Sequence, residues 1–310
     1  MKLLLAKNIM WIFYFIRNKY WLALVKFINF YPLTILNDPS AMRKHLKYWE
    51  KNNNFKEINI HNSKFIVSIN DHIGYNIYMN GSFDEAPLTI ALKLNLGEGD
   101  IFLDIGANIG SVCIPIAKQT KCEIFAVEAS SSVAFQLLRN VSLNSIKFSM
   151  IHGAAVNHNY SSDEYLKLYV RHGNVGANSL FSTWNSIPGA PESIEYAKPI
   201  IIDELCEILD FERIKLIKID VEGAEYEVLK GMNKLMNLEI PILFEHRIDM
   251  LKNHRNEDGN KIINLLKEKY ELFGVNENDN GNWVISNFIE DRSYANVLAV
   301  SKNFNVNKLL

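Results

Sequence analysis

Three short apolar runs that close on a carboxylate most constrain this chain: "IFLDIG" carries Asp104, "IFAVEA" carries Glu128 and "KLIKID" carries Asp220. Between and after them lie helix-length segments, "GSVCIPIAKQ", "SSVAFQLLRNVSLN", "IDELCEILD" and "GAEYEVLKGMNKLM", with two more apolar runs, "KFSMIHGAAV" and "EIPILFEHR". Apolar strands joined by helices of this length predict an α/β fold with a mostly parallel sheet covered on both faces. Near the end, "YELFGV" and "ANVLAVSK" flank the turn-rich "NENDNGN" and predict an antiparallel pair at one edge. Upstream, residues 58–80 alternate polar and apolar side chains and read as short strands or a hairpin. A helical run from Pro87 follows, ended by Gly97 and Gly99.

With 310 residues, 48% hydrophobic and 22% charged, the chain is long enough for one elaborated domain rather than a disordered polymer. A net charge of -2 argues against bulk electrostatic binding to nucleic acid. Cys113, Cys122 and Cys206 show no CxxC spacing, which disfavours a disulfide framework or a zinc site and fits a reducing, cytoplasmic compartment. Residues 1–36 carry Lys2, Lys7, Arg17, Lys19 and Lys26 and no acid. Their uncharged runs fall short of the roughly 20 residues that cross a bilayer. Two readings stand: an interfacial amphipathic helix, peripheral on the cytoplasmic face of a membrane, or a helix packed on the protein's own core. The division is then an N-terminal accessory segment, 1–57, and a main domain, 58–310. Residues 157–199 interrupt the strand and helix rhythm of that domain. A loop of this length with aromatic residues and His172, Asn178, Ser179 and Trp184 reads as a substrate-covering element.

"FLDIGANIGS" places Asp104 near a strand end and Gly106 and Gly110 in a turn that opens a helix, whose free amides point at a ligand. It is not the dinucleotide fingerprint, because Ala107 and Asn108 stand where further glycines would be needed. Asp104 would repel a pyrophosphate and pair with an ammonium. S-adenosylmethionine offers such an ammonium beside a cationic sulfonium. Glu128, at the next strand end, can accept both hydroxyls of a ribose.

The stretch "LIKIDVEGAEYEVLKG" packs Asp220, Glu222, Glu225 and Glu227 behind a strand. Asp220 sits where open parallel sheets bind ligands. Glu222 and Glu225 either complement the positive end of the following helix or share in the site, and Glu227 reads as solvated. Taken together, "DIGANIG", "VEAS", "LLRNVSLN", "KIDVEGAEYEVLKG" and "ILFEHR" resemble the FkbM family of S-adenosylmethionine-dependent methyltransferases over residues 81–300.

The resemblance implies a Rossmann-like class I methyltransferase sheet of seven strands with an antiparallel C-terminal edge hairpin. It implies cofactor contacts from Asp104, Gly106, Ala107, Asn108, Gly110 and Glu128, with Asn144 and Ala154 near the adenine. Glu85 in "GSFDE" corresponds to the family's acidic position before the first core helix. The implied reaction is O-methylation of a hydroxyl on a sugar, glycan or small molecule; His172, Asn178 and Ser179 of the 157–199 loop, and Glu222 at the helix start, are read from the residues themselves as acceptor contacts. Asp220 is the favoured base or hydroxyl acceptor, with His246 and Glu245 as further candidates. A divalent ion held by Asp220, Glu245 and His246 is a second way to activate the hydroxyl, but "ILFEHR" lacks the paired aspartates of metal-dependent relatives, and no metal is assigned. An NAD-dependent dehydrogenase or epimerase and an inactive membrane-docked scaffold are the competing functions.

Overall fold

A computed structural model describes residues 54–81, 84–161, 164–182, 192–248, 251, 260–277, 283–289, 294–306 and 309. The expectations for residues 1–36 and for Trp184 lie outside these residues. Among the described residues no helix is long and apolar enough to cross a membrane.

The chain opens with a hairpin, β1 (Phe55–Ile60) and β2 (Ser63–Ser68). The stretch after it is not a strand but a helix, α1 (His72–Asn80). Asp71 decides this: its Oδ1 accepts from the amides of Ile73 and Gly74 at 3.0 and 3.4 Å, supplying the cap that a short helix needs. A second helix, α2 (Ala86–Lys93), begins with Pro87 in its first turn.

The core then alternates β3 (Ile101–Ile105), α3 (Cys113–Thr120), β4 (Glu123–Glu128), α4 (Ser131–Ser142) and β5 (Phe148–His152). An excursion follows, containing β6 (Ala154–Ala155), β7 (Leu166–Arg171), β8 (Glu192–Ala197) and β9 (Pro199–Ile200). Here β7 and β8 form a separate antiparallel pair. The predicted helix "IDELCEILD" is a 3₁₀ segment, Ile202–Glu207. The chain re-enters the sheet as β10 (Ile214–Ile219), followed by α5 (Glu225–Lys230), α6 (Asn233–Asn237) and β11 (Ile242–His246). After α7 (Lys261–Lys267) come β12 (Tyr270–Glu277), β13 (Trp283–Asn287) and β14 (Tyr294–Ser301).

The single expected helix from Gly223 to Met236 is divided in two. The carbonyl of Gly231 is taken by the amide of Asp203 at 2.9 Å instead of the next helical turn. A Cβ on Gly231 would lie 2.1 Å from the Val156 carbonyl oxygen, so only glycine permits this crossing.

The main sheet has eight strands in the order β13-β12-β14-β11-β10-β3-β4-β5. The five strands β11, β10, β3, β4 and β5 run parallel. The strands β14, β12 and β13 join antiparallel, so the expected edge pair is present with β13 as an additional outer strand. Alternation along each central strand sends side chains to two cores. Phe102, Ala126 and Leu216 pack with α1 to α4 on one face. Leu103, Phe125 and Ile217 pack with α5 to α7 on the other.

Candidate active site

From β3 the chain winds outward through β4 to β5, then returns to place β10 on the opposite side of β3 and continues to β11. The winding direction therefore reverses between β3 and β10. At such a point the loops after the two strands diverge and leave a crevice.

The two motif turns meet there. The amides of Gly106 and Ala107 donate to the Val127 carbonyl at 2.9 and 3.2 Å, and the Asp220 amide donates to the Ile105 carbonyl at 3.0 Å. Gly106 has φ 87°. A Cβ at this position would lie 1.8 Å from the Asp220 carbonyl oxygen. Gly106→Ala combines a left-handed backbone with a clash against rigid main chain. It is expected to destabilise the fold by about 3 kcal/mol or more, read as a melting-temperature loss of about 6 °C or more. A loss under about 2 °C would contradict this packing.

Asn108 occupies the next left-handed position, φ 50°, which asparagine tolerates. Its amide donates to Oε2 of Glu128 at 2.9 Å, while the Ser130 amide donates to Oε1 at 2.8 Å. Burial pushes the Glu128 carboxyl up to about 7 against these two donors. The glycine turn and the second strand-end acid are thus one hydrogen-bonded unit. The excursion attaches beside it, since Oε2 of Glu195 accepts from the Ser131 amide at 2.6 Å and the Ser130 hydroxyl at 3.0 Å.

A cleft of about 540 Å³ lies over this unit. Gly106, Asn108, Glu128, Ala154, Asn178, Asp220 and Glu222 are among its lining residues. Ser179 does not line it, but its hydroxyl donates to the Glu222 carbonyl at 2.6 Å and ties the excursion to the second motif. Ala107 is buried under the turn, and Gly110 closes that turn by donating to the Ala107 carbonyl at 3.0 Å. His172 is exposed and is not among the lining residues.

Two expected cofactor contacts are engaged elsewhere. Asn144 joins α4 to β2, its Oδ1 accepting from the Lys64 amide at 2.8 Å and its Nδ2 donating to the Lys64 carbonyl at 2.6 Å. Glu85 pairs with His61 at 3.1 Å on the exterior. Its neighbour Asp84 turns inward instead and accepts from Nδ2 of Asn296 on β14 at 3.1 Å.

On the far side, β10 and β11 are aligned with Ile219 opposite Phe244. One further step sets Asp220 opposite Glu245, so both project to the same face. Oxygens of Asp220, Glu222 and Glu245 all lie within 4.8 Å of one another. Burial, reinforced by the charges of Glu222, Asp220 and Glu225, holds the Glu245 carboxyl well above the usual range. His246 projects to the opposite face, fully buried, with its ring 6.3 Å from that of Phe244 and 5.9 Å from that of Phe288. It therefore contributes no atom to the acidic group.

Glu225 is buried and accepts from the Val221 amide at 3.1 Å and the Gly223 amide at 3.1 and 3.2 Å, which holds the "VEG" turn. Burial pushes its carboxyl up to about 7. Glu227, expected in solvent, is 8% exposed.

Next to Asp220 of the cleft lies a lysine that sequence reading did not single out. Lys218 is buried, with its ammonium 2.7 Å from Oδ2 of Asp220. Asp104 is 1% exposed, and its carboxylate oxygens receive no hydrogen bond from a nitrogen or oxygen donor. Burial pushes the Asp104 carboxyl up to about 6, opposed chiefly by Lys218.

A family model described as the methyltransferase FkbM domain matches residues 104–272, spanning both turns and the acidic group. The chain belongs to the FkbM methyltransferase family. That membership makes it a methyltransferase rather than a dehydrogenase or epimerase. No curated protein matches the chain.

Among solved structures, the FkbM chain is similar to a precorrin-6y C5,15-methyltransferase from Geobacter metallireducens GS-15. They share 14% identity over 69% of this chain and 85% of that one, at a TM-score of 0.36. A TehB-like SAM-dependent methyltransferase from Corynebacterium glutamicum shares 8% identity over 86% of this chain and 100% of that one, at 0.39. A tRNA (uracil-54, C5)-methyltransferase from Pyrococcus abyssi, in complex with S-adenosyl-L-homocysteine, shares 12% over 79% of this chain and 43% of that one, at 0.37.

Proposed function

We propose that the protein is an S-adenosylmethionine-dependent O-methyltransferase acting on a hydroxyl of a sugar or glycan. One observation carries this reading: the glycine turn, Glu128, Asp220 and Glu222 line a single cleft at the sheet's switch point, and Glu245 stands beside the last two with a carboxylate oxygen within 4.8 Å of theirs. Glu128 would receive the ribose hydroxyls of the cofactor, and Gly106 would let its sulfur end approach the backbone. Asp104 and Asp84 supply negative charge for its ammonium. When bound, the cofactor supplies a methyl carbon already activated by a sulfonium.

The chain's own part is alignment and proton removal. Asp220, held through Oδ2 by Lys218, keeps Oδ1 for the acceptor hydroxyl. Glu245 beside it takes the hydroxyl proton as the new carbon–oxygen bond forms and the carbon–sulfur bond breaks, its electron pair leaving with sulfur. Alignment of this kind is equivalent to effective molarities of about 10⁵ to 10⁸ M, and a positioned base adds about 10²- to 10⁴-fold.

The acceptor class rests on the family resemblance and on the polar cleft wall formed by Asn178, Asp220 and Glu222. Glycans from cells with and without the protein are expected to differ by one methyl group in mass, and purified protein is expected to transfer label from the cofactor to the unmethylated glycan. Label appearing only in RNA or protein, with unchanged glycans, would overturn the acceptor assignment.

A further inference from the structure

We infer that Lys218 is a positioning residue for the cofactor's amino-acid end, holding Asp220 by a direct ion pair, with Asp104 opposite it in the sheet and Asp84 acting on it through its charge, so that the acids can serve a second cation. The inference deepens the cofactor reading above and rests on it.

Lys218 interrupts the apolar run of β10, a central strand buried on both faces, where an unpaired ammonium would be strongly disfavoured. The sheet register sets it opposite Asp104 on β3. Asp220 is two residues further along, on the same side of the chain, and its Oδ2 closes to 2.7 Å. Asp84, on the segment before α2, accepts from Asn296 of β14 and adds its charge to the field at Lys218. The Cys113 thiol on α3 completes the group around Asp104, and Glu128 on β4 feels the Asp104 charge from the far side. Burial acts to discharge Lys218, but Asp220, Asp104 and Asp84 outweigh it and hold the ammonium above its ordinary value.

The asymmetry is informative. Three acids act on one lysine, Asp220 in direct contact and Asp104 and Asp84 through their charge, so the group keeps an excess of negative charge. Lys218 has its direct hydrogen bond with Asp220, whereas Asp104 has no donor from nitrogen or oxygen. A purely structural ion pair would need one acid. An arrangement with acids in excess, one of which, Asp220, lines the cleft, is complementary to an ammonium arriving there. Without Lys218, three like charges in a buried space would suppress one another's ionisation, and the site would lose charge as pH falls.

The test is calorimetry with S-adenosylhomocysteine on the full chain across about pH 5.5 to 8.5, comparing wild type, Lys218→Arg and Lys218→Gln. The arginine variant is expected to stay within about threefold of wild type with the same pH profile. The glutamine variant is expected to bind about tenfold more weakly near pH 6.5, with its acid limb moved up by about one pH unit, and to converge on wild type at the alkaline end. A folded Lys218→Gln protein whose profile superimposes on wild type, or an arginine variant as weak as the glutamine one, would overturn the inference. If Lys218→Gln alone does not fold, the double variant Lys218→Gln/Asp220→Asn, which removes one acid with the ammonium, is compared with Asp220→Asn, and the same displacement of the limb decides. Wild type that binds no S-adenosylhomocysteine at any pH would sink the cofactor reading itself. Binding by wild type with an unmoved variant sinks only the role of Lys218.

Discussion

Replacing Glu245 with glutamine is expected to lower kcat by about 10²- to 10⁴-fold, the contribution of a positioned general base. KM values for cofactor and acceptor should stay within about threefold, because the amide keeps the side chain's size and the proton is taken only as the transition state forms. The register supports Glu245 over His246, since Glu245 shares a face with Asp220 while His246 packs between Phe244 and Phe288. A carboxyl held well above its usual range by burial and three neighbouring acids is a stronger base than an exposed one. It works only when deprotonated, so kcat should rise with pH on the acid side in wild type and lose that limb in Glu245→Gln. Asp220→Asn should lose rate to a similar degree, and the double variant should be little worse than either single one, as for residues that act as a unit. Initial rates with labelled cofactor measure this. A Glu245→Gln enzyme within about threefold of wild type would remove Glu245 from the chemistry. Turnover should also survive a chelator; a loss restored by magnesium would assign the three carboxylates to a divalent ion instead.

The second large effect is on cofactor affinity. Burial pushes the Glu128 carboxyl up to about 7 and the Asp104 carboxyl up to about 6. In the proposed cofactor reading the ligand prefers both as carboxylates, because ribose hydroxyls would donate to Glu128 and an ammonium would pair with Asp104. Occupancy therefore lowers both values, and binding releases protons. The sign follows directly, with affinity rising as pH rises through these values and falling below them. Between about pH 5.5 and 7.5 the affinity for S-adenosylhomocysteine should rise by about 10- to 100-fold, the lower figure if Glu128 alone responds.

What could be read in advance follows from which interactions are local. The parallel sheet and the ligand-facing ends of its strands were legible because apolar runs such as "IFLDIG" and "KLIKID" repeat with helices between them. Choices between adjacent residues were not, because neighbouring side chains on an extended chain point opposite ways and register is a property of the partner strand. Hence Glu245 rather than His246 joins Asp220; Asp84, not Glu85, accepts from Asn296 because a left-handed turn at Asp84 precedes the helix, which no local signal announced. Lys218 carried a visible signal, a lysine inside a strand otherwise reading as buried, whose meaning needed Asp104 opposite it. Asn144 had no local signal at all, since its partner Lys64 lies on a hairpin 80 residues earlier. Helix α1 was hidden by a polar-apolar alternation that fits a strand, although its Asp71 cap stood in plain view.

Calorimetric titration of the folded protein with S-adenosylhomocysteine is the most direct test that the two turns form a cofactor cleft. The account predicts one site per chain, an affinity that strengthens from about pH 5.5 to 7.5, and at least about tenfold weaker binding by Glu128→Ala at the upper pH. No binding, or an affinity indifferent to both pH and Glu128→Ala, would contradict it.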